Sequence, residues 1–263
     1  MTQLAPTPAT ELTLAVRDAL AELLLTLADD EFVVGFWDSE WTGIGPMLEE
    51  DVAFSSMAQD ELGHARAFYE LLATLTGRTA DEIAFGRPPE DYRHARLLDH
   101  PRTDWAFSVA RRYLYDTADA VRLEPLATSA YAPLAELVTK IRREERYHLL
   151  HVDAWLRRLA TSGEEPRRRL VAALDRLQSD AATVFTPLAW ERTLLDAGVL
   201  SVPMEDLRTR WVDRLHLTFT KHGLPTPESS APAPDGRTGH SEDFRWLWGE
   251  FTSVYRSEAG ATW

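Results

Sequence analysis

Cysteine is absent from this chain of 263 residues. Without thiols the protein cannot form disulfides, iron–sulfur clusters or cysteine-ligated zinc sites, so any metal would have to bind carboxylates and imidazoles. Long apolar runs are absent as well, because no stretch approaches the roughly 18 residues that a membrane-spanning helix needs. The opening residues MTQLAPTPATE lack the charged and apolar regions of a signal peptide. We therefore expect a soluble cytoplasmic protein that does not enter membranes.

Basic residues are scarce, since 28 lysines and arginines stand against 42 acidic residues and the formal net charge is −14. A surface with this excess of negative charge repels phosphate backbones. The composition therefore argues against nucleic-acid binding.

Strand-like patterns are almost missing, whereas helix-forming residues dominate long stretches of the chain. Apolar residues recur every three or four positions in four long segments, which predicts an all-α fold. The four predicted long helices cover residues 11–41, 47–76, 105–127 and 134–159, and three further helices cover 166–186, 203–221 and 244–256. The segments TGIGP (42–46) and SAYAP (129–133) separate the members of each long pair.

The predicted domain organisation is a single helical domain with simple extensions. Residues 1–10 are rich in proline and threonine and are expected to fray. A helical bundle over 11–222 is followed by a low-complexity connector (223–242) and by a final helix and tail (243–263) that pack on the same domain. The irregular stretch 77–104 is long enough for a crossover connection between the second and third long helices.

Charged residues interrupt the apolar faces of two predicted helices. In the second long helix the stripe that contains Phe54 and Phe68 also contains Glu61 and His64. A buried carboxylate is costly unless a positive group meets it, so Glu61 needs a partner. The fourth long helix repeats the pattern, with Glu145 and His148 on its apolar face. Side chains at i and i+3 project from one face of a helix and can bind the same ion.

The other two long helices each carry one acid on the apolar stripe, Glu31 in the first and Asp116 in the third. Two Glu-x-x-His helices and two single-carboxylate helices are the pattern of a ferritin-like di-iron bundle. The sequence therefore predicts a ferritin-like four-helix bundle with a long crossover and additional C-terminal helices. Its predicted metal ligands are Glu31, Glu61, His64, Asp116, Glu145 and His148.

Several other interpretations of these residues remain open at the level of sequence. With eight histidines in the chain, Glu-x-x-His spacings also arise by chance. The carboxylates could pair with arginines such as Arg112 or those of RREER (142–146), and the histidines could be satisfied core residues. Asp30 competes with Glu31, because it falls on an alternative apolar stripe of the same helix.

Three stretches carry a resemblance to a known family: ARRYLYDTAD (110–119), REERYHLLHVDAWLRRLA (143–160) and DGRTGHSEDFRWLWGEF (235–251), together with the ending GATW. They resemble the ferritin-like subunits of ring-1,2-phenylacetyl-CoA epoxidase, a bacterial multicomponent monooxygenase of phenylacetate catabolism. The chain is more similar to the C-type subunit of that family than to the A-type subunit.

The resemblance implies a role in a hetero-oligomeric complex. The A-type subunit is the one whose di-iron centre activates O₂ and epoxidises the ring of phenylacetyl-CoA, whereas the C-type subunit resembles it in fold and is regarded as structural. Here all six ligand positions keep a carboxylate or an imidazole. We expect an assisting partner of the catalytic A-type subunit, with a catalytically competent di-iron subunit as the alternative and a ferritin-like iron-handling protein as a weaker one.

The resemblance also implies partners and cofactors. The expected partners are the A-type subunit, the other subunits and a reductase, because this chain has no flavin or iron–sulfur motif of its own. Phenylacetyl-CoA is expected to bind through the A-type partner, and the chain is expected to form homo- or hetero-oligomers. The aromatic tail residues Trp246, Trp248, Phe251 and Tyr255 suit such docking, although they could equally cap the bundle.

Overall fold

The computed structural model describes residues 12–226 and 231–258, and over these ranges the chain is built from α-helices, short 3₁₀ turns and loops without a β-strand. The ten described α-helices are α1 (Leu14–Ser39), α2 (Leu48–Thr76), α3 (Ala80–Ala84), α4 (Trp105–Leu126), α5 (Ala132–Thr161), α6 (Glu164–Ala181), α7 (Glu191–Asp196), α8 (Met204–His222), α9 (Glu242–Phe251) and α10 (Ser253–Ser257). The predicted all-α fold is confirmed. The predictions for residues 1–10 and for the ending GATW lie outside the described residues.

Local sequence explains where the long helices begin and end. The helix α2 ends at Gly77, whose left-handed φ of 74° is a conformation that glycine adopts without steric cost. Two residues later Thr79 and Glu82 form a reciprocal capping box that starts α3. The helix α4 begins after Asp104, whose side chain accepts a hydrogen bond of 2.9 Å from the backbone N–H of Phe107. These signals delimit the crossover segment between α2 and α4.

The chain divides into two compact units that do not follow its order. We call residues 21–102 together with 237–258 the split unit, because two distant segments build it. We call the rest of the described chain, 12–20 and 103–236 with its gap, the central unit. The split unit contains most of α1, with α2, α3, α9 and α10, whereas the central unit contains α4 to α8.

The central unit is organised around α4, which packs against α5, α6 and α8. Most side chains of α4 are buried, so this helix has no broad solvent face. The ring of Tyr113 stacks on Phe219 of α8 at a centroid distance of 5.9 Å. The indole N–H of Trp211 donates to the hydroxyl of Thr117 over 2.9 Å. These contacts hold α8 against the middle of α4.

The split unit is closed by the C-terminal segment. Phe251 of α9 packs on Phe32 and Phe36 of α1, at centroid distances of 5.0 and 5.1 Å. The indole N–H of Trp248 donates to the carbonyl of Arg87 in the crossover over 2.9 Å. Trp246 stacks against Trp37 at 6.1 Å but stays 55% exposed. Most of the aromatic tail therefore caps α1 and the crossover, and Trp246 is the tail aromatic that keeps a large exposed surface.

Three details differ from the helices predicted from sequence. The predicted helix over 244–256 is interrupted at Thr252, which separates α9 from α10. The helix predicted over 166–186 ends at Ala181 and continues only as a 3₁₀ turn, Ala182–Phe185. The short helix α7 was not predicted, because six residues are too few to display a helical period. No helix within the described part of the chain is long and apolar enough to cross a membrane.

Candidate metal centre

Three of the predicted ligands meet inside the split unit. Glu31 of α1 and Glu61 of α2 are fully buried, and His64 of α2 is 4% exposed. His64 Nδ1 lies 3.6 Å from Glu31 Oε2 and 3.7 Å from Glu61 Oε2. Each of the three side chains offers a ligand atom within 4.8 Å of those of the other two. We refer to these residues as the Glu31 cluster.

A glycine lets α1 approach α2 closely enough to form the Glu31 cluster. A Cβ atom on Gly35 would lie 3.1 Å from the Cβ of Glu61 and 3.2 Å from the carbonyl oxygen of Ala58. Such distances are tighter than ordinary van der Waals contacts, so a side chain here would require the neighbouring atoms of α2 to move by a few tenths of an ångström. Gly35 follows Glu31 by one helical turn and therefore sets the spacing of the helices beside the cluster.

The donor set of the Glu31 cluster fits a first-row metal ion. Two buried carboxylates this close repel each other unless a cation or a proton intervenes. Carboxylate oxygens and a neutral imidazole nitrogen are ligands that iron accepts in proteins. Water cannot stabilise the charges of these carboxylates, because all three side chains of the cluster are almost completely buried. These residues fit an iron ion by charge, chemistry and proximity.

The central unit contains the other three predicted ligands, and they divide into two groups. Glu145 and His148 of α5 are 3% and 2% exposed, and Glu145 Oε1 lies 3.2 Å from His148 Nδ1. Asp116 of α4 is fully buried and lies beside the equally buried Arg112, with 3.1 Å between Arg112 Nε and Asp116 Oδ1. The Arg112 guanidinium thus compensates the charge of Asp116 from the preceding turn of the same helix. Asp116 fits a metal less well than the other five residues do.

The structure separates the roles of Asp30 and Glu31. Both acids are buried, but Asp30 faces Arg237, whose Nη1 and Nη2 reach Asp30 Oδ1 and Oδ2 over 3.0 Å each. Asp30 Oδ1 also accepts a hydrogen bond of 2.7 Å from the backbone N–H of Ala95. Glu31 instead lies beside His64. Of the two candidates, Glu31 is the one in a metal-ligand environment.

Comparison with known proteins identifies the family. The family model for the phenylacetic acid catabolic protein, which covers A-type and C-type chains, matches residues 1–263. This chain belongs to that family. The resemblance found in the sequence is thereby confirmed, and the all-α architecture is that of the ferritin-like bundle of the family.

Two curated relatives from Escherichia coli (strain K12) are similar over most of their length. The chain is 28% identical to the C-type subunit of 1,2-phenylacetyl-CoA epoxidase over 246 residues, which cover 93% of this chain and 99% of the relative. It is 24% identical to the A-type subunit of the same enzyme over 251 residues, which cover 91% of this chain and 78% of the relative. The similarity to the C-type relative therefore extends over nearly the full length of both chains.

Sequence reasoning missed the partners of two buried acids that precede Glu31. Asp29 receives two hydrogen bonds from Arg87, of 2.9 and 2.5 Å, and one of 2.5 Å from the hydroxyl of Tyr69. With Asp30 on Arg237 and Glu31 beside His64, three consecutive acids of one apolar helix have three different positive or polar partners. The run of acids in an otherwise apolar segment was the available signal, because each buried carboxylate requires compensation.

A second buried group of His and Asp residues joins the crossover to the tail within the split unit. Asp99 Oδ1 lies 2.6 Å from His94 Nε2 and 3.2 Å from His240 Nδ1, while Asp99 Oδ2 accepts a 2.5 Å hydrogen bond from the backbone N–H of Ser241. His240 Nε2 lies 3.0 Å from the carbonyl oxygen of Tyr92. Both nitrogens of His240 thus lie within hydrogen-bonding distance of an oxygen atom.

This second group suits hydrogen bonding better than metal binding. The rings of His94 and His240 stack at 4.0 Å with an interplanar angle of 13°. A metal ion lies near the plane of each imidazole that binds it, and two parallel rings stacked at this distance cannot both satisfy that requirement for one ion. Burial would raise the pKa of Asp99, but the hydrogen bonds from His240 and His94 hold it well below its ordinary value. The group is a buried hydrogen-bonded link between residues 94–99 and 240–241.

Proposed function

We propose that this chain is the C-type subunit of a cytoplasmic multicomponent monooxygenase that epoxidises the aromatic ring of phenylacetyl-CoA in aerobic phenylacetate catabolism. In this role it binds the catalytic A-type subunit and supports its fold, while the A-type subunit holds the thioester. The observation that carries the proposal is the near-complete coverage of a C-type relative, 99% of its length against 78% for the A-type relative. The other subunits and a reductase complete the proposed assembly.

The environment of Asp116 supports an assisting rather than a catalytic role. A di-iron bundle of this class uses a carboxylate from each of the two helices that lack the Glu-x-x-His motif. In α4 that carboxylate is Asp116, and the buried guanidinium of Arg112 lies 3.1 Å from it. Binding a metal through Asp116 Oδ1 would require this atom to give up its contact with Arg112. Giving up this contact costs free energy, because it separates two buried opposite charges.

The remaining candidate ligands support a bound metal in this chain. In the split unit the residues that would hold a metal are Glu31, Glu61 and His64. In the central unit, considered separately, Glu145 and His148 would do so. Iron in such a site supplies the capacity to activate O₂. The residues themselves provide negative charge, imidazole nitrogens and surroundings that are shielded from bulk water.

A catalytically competent di-iron subunit is the second candidate function. The observation in its favour is the Glu31 cluster, in which two carboxylates and an imidazole are all retained, buried and mutually close. A purely structural chain has no need to keep such costly groups in its interior. Electrons would have to come from a separate reductase.

The Glu61→Ala, Glu145→Ala double variant tests these alternatives in the complex formed with the A-type subunit. The matched control is Glu49→Ala, Glu136→Ala, which removes two exposed glutamates from the same helices, α2 and α5. Assembly is measured by size-exclusion chromatography, iron per chain by elemental analysis and epoxidation by product formation. We expect the assembled double variant to turn over as fast as the control complex. Loss of epoxidation with assembly intact would instead assign the chemistry to this chain.

The partner proposal has its own test. Co-expression with the A-type subunit should yield a stable hetero-oligomer on size-exclusion chromatography. Two chains that elute separately under low and moderate salt would contradict the assisting role, whatever the iron content of either chain.

A further inference from the structure

A cavity of about 220 Å³ lies in the split unit between α1, α2 and α3. Its walls are predominantly apolar and aromatic, and most are supplied by Phe32, Phe36, Leu62, Tyr69, Ala84 and Phe85. The three residues Phe36, Leu62 and Phe85 are half-buried, so the cavity communicates with solvent. We propose that this cavity is a binding site for one aromatic ring carried by a small molecule.

The volume matches a single substituted ring. A cavity of about 150 Å³ lined by aliphatic and aromatic side chains is sufficient to bind benzene in an engineered protein. The cavity beside Phe32 is larger by roughly half, which leaves room for a ring with a short substituent. We therefore expect a ligand with one ring and a short substituent.

The arrangement of the walls favours an aromatic ligand over an aliphatic one. Phe32 makes edge-to-face contacts with Phe36 at 4.8 Å, with Phe85 at 5.4 Å and with Tyr69 at 5.7 Å. Edge-to-face contact is a preferred geometry of aromatic pairs and contributes beyond the burial of apolar area. Rings held at these angles present both faces and edges to the cavity, so an added ring can extend the same pattern of contacts.

The walls are held in place by groups that do not depend on a ligand. The hydroxyl of Tyr69 donates to Asp29, which is itself held by Arg87. Burial, with the nearby charge of Asp29, raises the pKa of Tyr69 well above its ordinary value, so this hydroxyl remains a donor. Phe251 buttresses Phe32 from the side of the tail at 5.0 Å. A preformed site loses little conformational freedom when it binds its ligand.

The mouth of the cavity is polar and carries charges of both signs. Arg66 and Asp81 complete the lining, and the Arg66 side chain is 79% exposed while it pairs with Glu70 over 2.8 Å. A ring bound inside would therefore leave its polar substituent among charged, solvated side chains. The chemistry of the site fits an arene with a short polar arm.

The cavity adjoins the Glu31 cluster through consecutive residues. Glu31 and Glu61 belong to the cluster, and the residues that follow them, Phe32 on α1 and Leu62 on α2, line the cavity. The proposal goes beyond the function proposed above, because it concerns a ligand of this chain alone. It therefore holds or fails independently of assembly with the A-type subunit.

Ligand-observed NMR on the purified full-length chain tests the site with benzyl alcohol as the probe and cyclohexylmethanol as its saturated counterpart. We expect saturable binding of benzyl alcohol with a dissociation constant on the order of 1 mM, and weaker binding of cyclohexylmethanol. The Leu62→Trp variant fills the cavity and should weaken benzyl alcohol binding at least about tenfold. Leu71→Trp, a half-buried leucine of α2 outside the cavity, is the matched control and should change it less than about twofold.

A second filling variant protects the test against misfolding of the first. Ala80→Phe enters the cavity from the opposite wall, at the start of α3, and should weaken binding as Leu62→Trp does. Circular dichroism checks that each variant is folded. The proposal is overturned if benzyl alcohol shows no saturable binding, if both folded filling variants bind it as the control does, or if cyclohexylmethanol binds equally well.

Discussion

Arg237 forms a two-pronged ion pair with Asp30, although 207 positions separate them in the chain. The two N–O distances are 3.0 Å each, the Arg237 side chain is 6% exposed and that of Asp30 is fully buried. The guanidinium also donates to the carbonyl of Arg93 over 2.7 Å. One arginine thus joins the tail, the crossover and α1 within the split unit.

Removal of this arginine should be strongly destabilising. Arg237→Ala leaves the buried Asp30 carboxylate without its guanidinium, and we expect the free energy of unfolding to fall by about 3–5 kcal/mol. Arg245→Ala is the control, since Arg245 forms an exposed ion pair with Glu242 and should change stability by less than about 1 kcal/mol. Urea unfolding followed by circular dichroism measures both. Equal effects of the two substitutions would contradict the importance of the buried pair.

Asp116 and Glu61 should contribute differently to metal binding. Because Arg112 compensates Asp116, we expect Asp116→Asn to leave the iron content per chain close to that of the unmodified protein. Glu61→Gln should lower the iron content severalfold, since it removes a carboxylate from the Glu31 cluster. Elemental analysis of proteins purified under the same iron supply compares them. An equal loss of iron in both variants would make Asp116 a ligand.

Two glycines of α1 and α2 should respond in opposite ways to alanine. At Gly63 an added Cβ meets nothing within 4 Å, so Gly63→Ala should stabilise the protein by about 0.5–1 kcal/mol through helix propensity. At Gly35 the Cβ would lie 3.1 Å from Glu61 Cβ, and overpacking of about 1–3 kcal/mol should exceed that gain. Thermal unfolding should therefore show a higher Tm for Gly63→Ala and a lower one for Gly35→Ala. A raised Tm in both variants would mean that α1 and α2 separate easily.

Acid should weaken the link between the crossover and the tail through His94. Burial and the neighbouring His240 lower the pKa of His94 below 6.5, although Asp99 and Asp29 oppose this. Below about pH 6.5 the imidazole of residue 94 is therefore protonated in the unfolded chain but stays neutral in the folded chain. As the pH falls through this range, the free energy of unfolding decreases. Asp99, whose pKa is lowered in the fold, adds a further loss only below its own unfolded value of 3.8.

The measurement is the free energy of unfolding between pH 7.5 and pH 5. His94→Gln keeps an amide donor for Asp99 but cannot titrate, so its stability should fall less steeply over this range. His216→Gln changes an exposed histidine of α8 and should retain the original slope. A His94→Gln profile parallel to that of the unmodified chain would exclude His94 as the group responsible.

The helices were predictable from sequence because their signals are local. The stripe through Phe54, Glu61 and Phe68 predicted α2 to within one residue at its start, and its end at Thr76 was predicted correctly. Glycines at 43 and 45 marked the break after α1, and the 77–104 gap predicted the crossover. A period of 3.6 residues and a helix-breaking residue are both visible within a short window of sequence.

The candidate site was only partly predictable, because some of its determinants are distant in the chain. The apolar stripes indicated Glu31, Glu61 and His64 as candidate ligands, and in the structure the three side chains lie close together in the split unit. The stripes could not predict the ion pair between Asp30 and Arg237, because Arg237 lies in a proline-rich segment without periodicity. The sequence offers Arg112 as a possible partner of Asp116, but the 3.1 Å contact between them depends on the folded structure. Whether the Glu31 cluster shares a metal with Glu145 and His148 stays a prediction.

The two-segment construction of the split unit has a consequence for how the protein is made on the ribosome. Asp30 and Asp99 are synthesised early, but Arg237, His240 and Ser241, which compensate them, leave the ribosome more than a hundred residues later. The central unit, by contrast, draws nearly all its helices from one uninterrupted stretch of chain. The helices α1 and α2 are therefore translated first, but they are the last to reach their final surroundings. A nascent chain stalled before residue 237 would expose Phe32 and Phe36 of α1, which Phe251 covers in the complete fold, to chaperones and proteases.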